Sequence, residues 1–268
     1  MKISILGCGW LGKELAKKLI AEMHEVRGSV TSMEKMAELR KDGILPYQLK
    51  LYEKGVQGDL RSFLSGCEVL VISVPPGLRS HPEINYVRKI RNLLPYIENN
   101  APKKIIYTSS TSVYPDTENF PVYTEESETD NSSDKAIQLH NAELLFLNNQ
   151  KLNTTVLRFG GLIGGGRHPV KFLSGRKGIQ NPEAPVNLVH RDDCIAAIQS
   201  VLKNKGKTSV YNLVYPEHPS KEEYYTSIAR KKNLQLPEFD HSATSKGKII
   251  SSEKIQKELK FKFNTSIH

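Results

Sequence analysis

Six residues close to the start of the chain have types and spacing that could do chemistry. Gly7-Cys8-Gly9-Trp10-Leu11-Gly12 is a GxGxxG pattern between an apolar run and a helical one. There the first glycine permits a tight turn, the second leaves room for a pyrophosphate, and the third lets helix and strand pack closely. The helix N-terminus adds unpaired N–H groups and roughly half a positive charge facing the phosphates. All six residues are therefore assigned to a dinucleotide. Which dinucleotide is decided at the end of the next strand, where NAD-binding chains carry Asp or Glu for the ribose hydroxyls. Val26-Arg27-Gly28-Ser29-Val30-Thr31-Ser32 has no carboxylate before Glu34. Ser29, Thr31 and Ser32 are expected to hydrogen-bond a 2′-phosphate, with Arg27 helping unless strand alternation turns it to solvent. The expected cofactor is NADP, with NAD the alternative.

Other candidates lie further on. Thr108-Ser109-Ser110-Thr111-Ser112-Val113-Tyr114 closes an apolar run with hydroxyls. Serine cannot act as a base near neutral pH without an activating neighbour. Val74-Pro75-Pro76-Gly77 follows another apolar run, and prolines there form a rigid wall with no N–H to satisfy. Val74 and Pro75 are expected against the cofactor's ribose, although a chain turn explains them too. Five glycines fall within 160–166, leading to Arg167-His168-Pro169. They bend the backbone sharply or let it approach something closely. His168 either faces the substrate or sets up Pro169, and His140 reads as a partly buried structural histidine. Asp192 and Asp193 need only a helix-start role. No His/Cys/Asp cluster has metal-ligand spacing, so no metal is expected.

These residues need a scaffold that brings several strand ends together. Ile3 to Leu6, Glu25 to Val30, Ile44 to Leu49, Val69 to Val74, Lys104 to Ser109 and Thr155 to Phe159 read as strands. Leu11, Leu15 and Leu19 give the first helix one apolar stripe. Nearly continuous apolar strands alternating with helices require a parallel sheet covered on both faces, linked by right-handed crossovers. The expected class is α/β, a doubly wound parallel sheet. The stretch between Lys104 and Lys135 has no Lys or Arg and seven acids, a polar loop of the kind that serves as lid or binding segment.

Taken together, the serine motif, Leu157-Arg158-Phe159-Gly160-Gly161-Leu162-Ile163-Gly164 and Asn187-Leu188-Val189-His190-Arg191-Asp192-Asp193 resemble extended short-chain dehydrogenases, the NAD-dependent epimerase/dehydratase group. More narrowly, Gly-Cys-Gly-Trp-Leu-Gly, Gly-Arg-His-Pro and Val-Asn-Leu-Val-His are similar to the YeeZ-like atypical members. The likeness runs from Ile3 to about Leu259 with its motifs in order. It implies a Rossmann domain binding NAD(P), expected over 1–164 and 187–212, and a small C-terminal substrate-binding or lid region, expected over 165–186 and 213–268. The reaction it implies is that of an oxidoreductase or epimerase-like enzyme on a small carbonyl or sugar-like substrate. It also implies a catalytic serine, matched by Ser110, and a Tyr-x-x-x-Lys pair on the next helix. Lysine one turn from tyrosine, with the cofactor's positive ring, brings the phenol into working range.

That pair is absent from this chain. Aligning the family lysine with Lys135 puts Asn131 where tyrosine belongs. Aligning on Glu143 puts Lys135 at the tyrosine position and Leu139 at the lysine position. Ser110 and Lys135 remain the catalytic candidates. Tyr114 is a geometric substitute, although the family uses that position to contact substrate. The alternative is a non-catalytic NADP(H)-binding sensor or regulatory protein.

Composition narrows the partners. The chain has 268 residues, 38% hydrophobic and 25% charged, which excludes wholesale disorder. No apolar run is long enough to cross a bilayer, and the opening residues lack a signal-peptide core. Three widely spaced cysteines fit a reducing cytoplasm. The net charge of +9 raises nucleic acid as a partner, but residues 201–268 hold 13 Lys/Arg against 7 Asp/Glu as scattered lysines, Lys203, Lys205 and Lys207 among them. With little aromatic interleaving, this suits a small, anionic substrate better than nucleic acid. No membrane partner is expected, and a monomer and a homodimer both remain open.

Overall fold

The structure, a computed structural model, describes every residue except Arg79, Lys205 and Lys207; the last two, counted in the basic tail, lie outside the described residues. Seven strands form the main sheet: β1 (Lys2–Leu6), β2 (Glu25–Val30), β3 (Leu45–Gln48), β4 (Val69–Ile72), β5 (Lys104–Ser110), β6 (Thr154–Phe159) and β7 (Ser209–Leu213). Their order is β3-β2-β1-β4-β5-β6-β7. β1 pairs in parallel with β2 and β4, β2 with β3, and β4 with β5. The strand order therefore reverses between β1 and β4, the position where doubly wound sheets open a ligand crevice. The expected α/β fold is the observed one, and the chain leaves β1 directly into Gly7.

Sequence patterning explains most of this sheet. Every residue of β4 is buried, as a continuous apolar strand between two helical layers must be; β6 is buried throughout as well, although it carries Thr154, Thr155 and Arg158. β4 ends at Ile72, so Ser73 and Val74 lie beyond the expected strand. β7 carries no such signal, because its Ser-Val-Tyr-Asn-Leu places a fully buried asparagine among the apolar residues. One buried cation is accounted for by helix geometry. The Lys104 amine donates to the carbonyls of Val201, at 2.9 Å, and Asn204, which a helix end leaves without intrahelical partners.

Helices connect the strands: α1 (Gly12–Ala21), α2 (Met33–Lys41), α3 (Leu60–Leu64), α4 (Tyr86–Arg91), α5 (Leu94–Asn100), α6 (Asp134–Leu147), α7 (Val170–Leu173), α8 (Arg191–Lys203), α9 (Lys221–Lys231) and α10 (Glu253–Glu258). The stripe of α1 is as expected, with Leu15 and Leu19 fully buried and Leu11 buried just before the helix. α6 starts where Ser133 caps the Ala136 N–H. Among the described residues no helix is long and apolar enough to cross a membrane.

The chain divides into two compact units. The first holds 1–113, 131–157 and 198–210; the second holds 114–130, 158–197 and 211–268. These bounds differ from the expected ones, since 114–130, 158–164, 187–197 and 211–212 cluster with the C-terminal residues. The reason is pairing between segments distant in sequence. Val122–Tyr123 pairs in parallel with Ile249–Ile250, and Gly161–Ile163 pairs in parallel with Leu188–His190. The acidic loop also meets lysines of the tail, Asp116 with Lys248 at 3.1 Å and Glu118 with Lys246 at 3.6 Å. Part of the basic excess thus neutralises the stretch that has no lysine of its own. A separate core of Ile163, Val170, Val186, Leu188, Tyr224, Ile228 and Ile267 closes the second unit.

Candidate functional site

In the first unit the glycine loop is fixed by the two strand ends beside it. The Gly7 N–H donates to the Ser29 hydroxyl at 2.9 Å, and the Cys8 N–H donates to the Ser29 carbonyl at 2.7 Å. Gly7 has φ +92°, and a Cβ there would stand 2.3 Å from the Ser73 carbonyl oxygen. A Cβ on Gly12 would stand 2.7 Å from the Gly7 carbonyl oxygen and 3.1 Å from the Ile5 side chain. Gly7 and Gly12 are therefore required by the protein's own packing. Gly9 is different, because its Cβ would meet nothing within 4 Å. Open space over the second glycine, at the foot of α1, is the cradle that a pyrophosphate needs. Leu11 and Cys8 are buried beneath the loop and Trp10 is half-buried. Burial pushes the Cys8 thiol up to about 12, so it packs as an apolar group.

The residues expected to choose the dinucleotide are placed differently from one another. Ser29 is buried, and its hydroxyl is occupied by Gly7. Arg27 turns to the end of α3, its guanidinium donating to the carbonyls of Ser62, Phe63 and Ser65. Neither is available to a 2′-phosphate. Thr31 is exposed and Ser32 half-buried at the start of α2. A hydrogen bond from Ser32 holds the Glu34 carboxyl below its ordinary range. A carboxylate therefore does stand at this strand end, supplied by the helix that follows.

Val74 and Pro75 follow β4 beside the loop, where Ser73 meets Gly7. The Val74 carbonyl accepts from Tyr86 at 3.1 Å, and the Tyr86 and Tyr107 hydroxyls are 3.0 Å apart. Both tyrosines are buried, and burial pushes the Tyr86 phenol up to about 12. They anchor the wall as neutral hydrogen-bonding groups. Two scattered tyrosines in apolar runs gave no sequence signal for this role.

At the end of β5, Ser110 is half-buried, and its hydroxyl oxygen accepts from the Ser112 N–H at 3.1 Å. The neighbouring Ser109 donates to Glu143 at 2.5 Å, and Glu143 is fully buried on α6. This pair ties the serine strand end to the helix, a contact across 34 residues that spacing along the chain does not signal. Lys135 lies in the first turn of α6, half-buried, on the helix stripe it shares with Leu139 and Ala142. Asn131 precedes α6 and is exposed, whereas Leu139 is buried. Asn131 and Lys135 therefore do not share a helix.

In the second unit Tyr114 is buried, and its hydroxyl lies 2.9 Å from the Thr124 carbonyl and 3.0 Å from Asn212 Oδ1 while accepting from Arg158 at 2.6 Å. It is a structural hub and not a substitute base. The glycine-rich loop packs on its own unit: a Cβ on Gly164 would stand 2.3 Å from the His190 ring, and one on Gly165 would stand 2.4 Å from the Arg191 guanidinium. Buried Asp193 accepts the N–H groups of Asn264 and Thr265, so it pins the C-terminal segment.

His168 is buried too. Its Nδ1 accepts from the Val170 N–H at 3.1 Å, which leaves the proton on Nε2, 3.1 Å from the Tyr224 hydroxyl. Burial first, then Lys232 and Lys171, lower its pKa to about 4. A second ring proton would also face the Val170 donor. The folded form therefore binds this proton less readily than the unfolded chain does. Stability is complete above about pH 6.5 and falls as pH drops towards 4. We expect urea unfolding to show a loss of about 2 kcal/mol between pH 7 and pH 5 from this group, absent in His168→Gln.

Among the described residues no group of three His, Cys, Asp or Glu side chains is placed to hold a metal. A family model described as NAD(P)H-binding matches residues 7–205. Protein YeeZ of Escherichia coli (strain K12) is 33% identical over 98% of this chain and 95% of its own length. Among solved structures, MoeE5 in complex with UDP-glucose and NAD is similar, with a TM-score of 0.79 and 16% identity over 100% of this chain and 95% of its own. The UDP-glucose 4-epimerase of Thermotoga maritima with UDP-glucose has a TM-score of 0.78, again at 16% identity over 100% and 95%.

Proposed function

This chain belongs to the NAD(P)H-binding family in its YeeZ-like branch, and from that premise we propose that it is a dinucleotide-dependent oxidoreductase or epimerase-like enzyme acting on a small carbonyl or sugar-like substrate. The observation that carries the reading is the open space at Gly9 between two glycines locked by the protein itself. Gly7 to Gly12 would hold the pyrophosphate, and Val74 and Pro75 would wall the ribose. When bound, the dinucleotide supplies or takes up a hydride.

The chain's own residues then have to hold an oxygen and move a proton. Ser110, whose oxygen is already accepting from Ser112, has its hydroxyl proton to donate to the substrate oxygen. Lys135, on the helix that packs against the β5 end, is the proton donor in reduction and acceptor in oxidation. It stands in place of the missing tyrosine. Similarity to proteins whose structures hold UDP-sugars supports a sugar-like, anionic substrate. A second reading, a binding protein without turnover, is favoured by buried Leu139 at the position aligned with the family lysine.

For the dinucleotide the balance shifts from NADP to NAD. Two of the four groups expected to meet a 2′-phosphate are engaged elsewhere, and Glu34 is held ionised beside Ser32. A ribose diol can donate to that carboxylate, whereas a 2′-phosphate is repelled by it. Fluorescence titration with NADH and NADPH tests both points. Saturable binding with NADH the tighter ligand is expected. No binding of either would refute the site, and tighter NADPH would restore the 2′-phosphate reading.

A further inference from the structure

We propose that the first unit carries a second anion site, separate from the glycine loop, for a phosphorylated compound of nucleotide size. A cavity of about 1000 Å³ opens beside α3 and α5 under the hairpin of Lys50–Tyr52 with Gly55–Gln57. Its lining is mainly cationic. Arg61 and Arg91 line it, both exposed, with Ser62, Ser65, Asn99 and Tyr96 around them, and no carboxylate is among its described lining residues. The nearby Asp59 carboxylate accepts from the Ser62 N–H at 2.9 Å and lies in the field of Arg61. Neither arginine forms a salt bridge among the described residues. Guanidinium pairs of this kind suit phosphate oxygens, which they can bind bidentately.

Three backbone carbonyls of lining residues are already engaged. Those of Ser62 and Ser65 accept from Arg27, at 2.9 and 2.6 Å, and that of Tyr96 accepts from Asn100 at 2.9 Å. Arg27 thereby brings a third guanidinium to two lining residues. Across the hairpin, Lys54, Arg88 and Lys89 line an adjoining cavity of about 760 Å³ that shares Gly55 and Val56, adding to the positive field. Its one carboxylate, Glu53, accepts from the Asn85 N–H.

Position separates this site from the dinucleotide loop. Ser65 leads into β4, and Asn99 leads into β5. The cavity therefore belongs to the amino ends of strands whose carboxyl ends meet the glycine loop and Ser110. The groove is open to solvent and larger than a lone phosphate, so it accommodates a compound of nucleotide size. Tyr96 offers an aromatic face for an organic group.

Calorimetric titration of the full chain with inorganic pyrophosphate and with ADP tests the proposal, using Gly9→Trp, which closes the glycine loop, and Gly9→Trp that also carries Arg61→Gln/Arg91→Gln. We expect saturable binding of both probes to Gly9→Trp, with ADP the tighter. The triple variant, further altered only at exposed side chains, should bind about 10-fold or more weakly. Absence of binding to Gly9→Trp would overturn the site and return the probes to the glycine loop. Unchanged affinity in the triple variant would also overturn it. ADP binding no tighter than pyrophosphate would overturn the nucleotide-sized ligand.

Discussion

Replacing Gly9 with tryptophan should abolish dinucleotide binding while leaving thermal stability close to wild type. The two outcomes separate because the three loop glycines have different physical reasons to be glycine. A side chain on Gly9 has nothing within 4 Å to strike, so the fold tolerates it, but the indole fills the space reserved for the pyrophosphate. Affinity for NADH should fall about 100-fold or more, since the phosphate N–H contacts and the helix N-terminus are lost together. Gly7→Val is the contrasting case. Its Cβ would lie 2.3 Å from the Ser73 carbonyl oxygen on a backbone with φ +92°. That variant should lose about 3 kcal/mol of stability or more from strain and displacement. Calorimetric melting with NADH titration reads both. Undiminished NADH affinity in Gly9→Trp would remove the loop from the cofactor site.

Lys135→Met should lower turnover by about 10²- to 10⁴-fold, the range for losing a positioned acid or base, with NADH affinity little changed. The substitution keeps the length of the side chain in the first turn of α6 and removes only the proton-transferring group. Ser110→Ala should act mainly on the same step, because its hydroxyl aligns the substrate oxygen and cannot move a proton alone. A pH profile distinguishes the roles. The kcat limb belonging to Lys135 disappears in Lys135→Met and persists in Ser110→Ala. If turnover survives in Lys135→Met, the proton travels by another group. If wild type binds NADH and turns over no carbonyl or sugar-like substrate, the binding-protein reading holds.

The α/β class was legible because its signals are local. Glycines at positions 7, 9 and 12 follow a five-residue strand, and continuous apolar runs such as Val69–Ile72 specify burial on both faces whatever their neighbours. The role of Ser29 was not legible. Its type suggested a phosphate ligand, but the Gly7 N–H reaches it first across 22 residues of sequence. Arg27, which strand alternation leaves open between phosphate and solvent, finds acceptors 35 to 38 residues away. Glu34 lies beyond β2 along the chain, and the turn into α2 brings its carboxylate to Ser32.

What the sequence by itself determined is the strand, glycine loop and helix at the start, the alternating α/β rhythm, and the loss of the Tyr-x-x-x-Lys pair. Periodicity and backbone freedom are properties of neighbouring residues and can be read without a fold. Tertiary structure alone decided which polar groups remain available to a ligand. It committed Ser29 to the loop, Arg27 to α3, Tyr114 to Arg158, and His168 to Tyr224. Buried donors and acceptors must find partners, and those partners are chosen by distance in space, which spacing along the chain does not record.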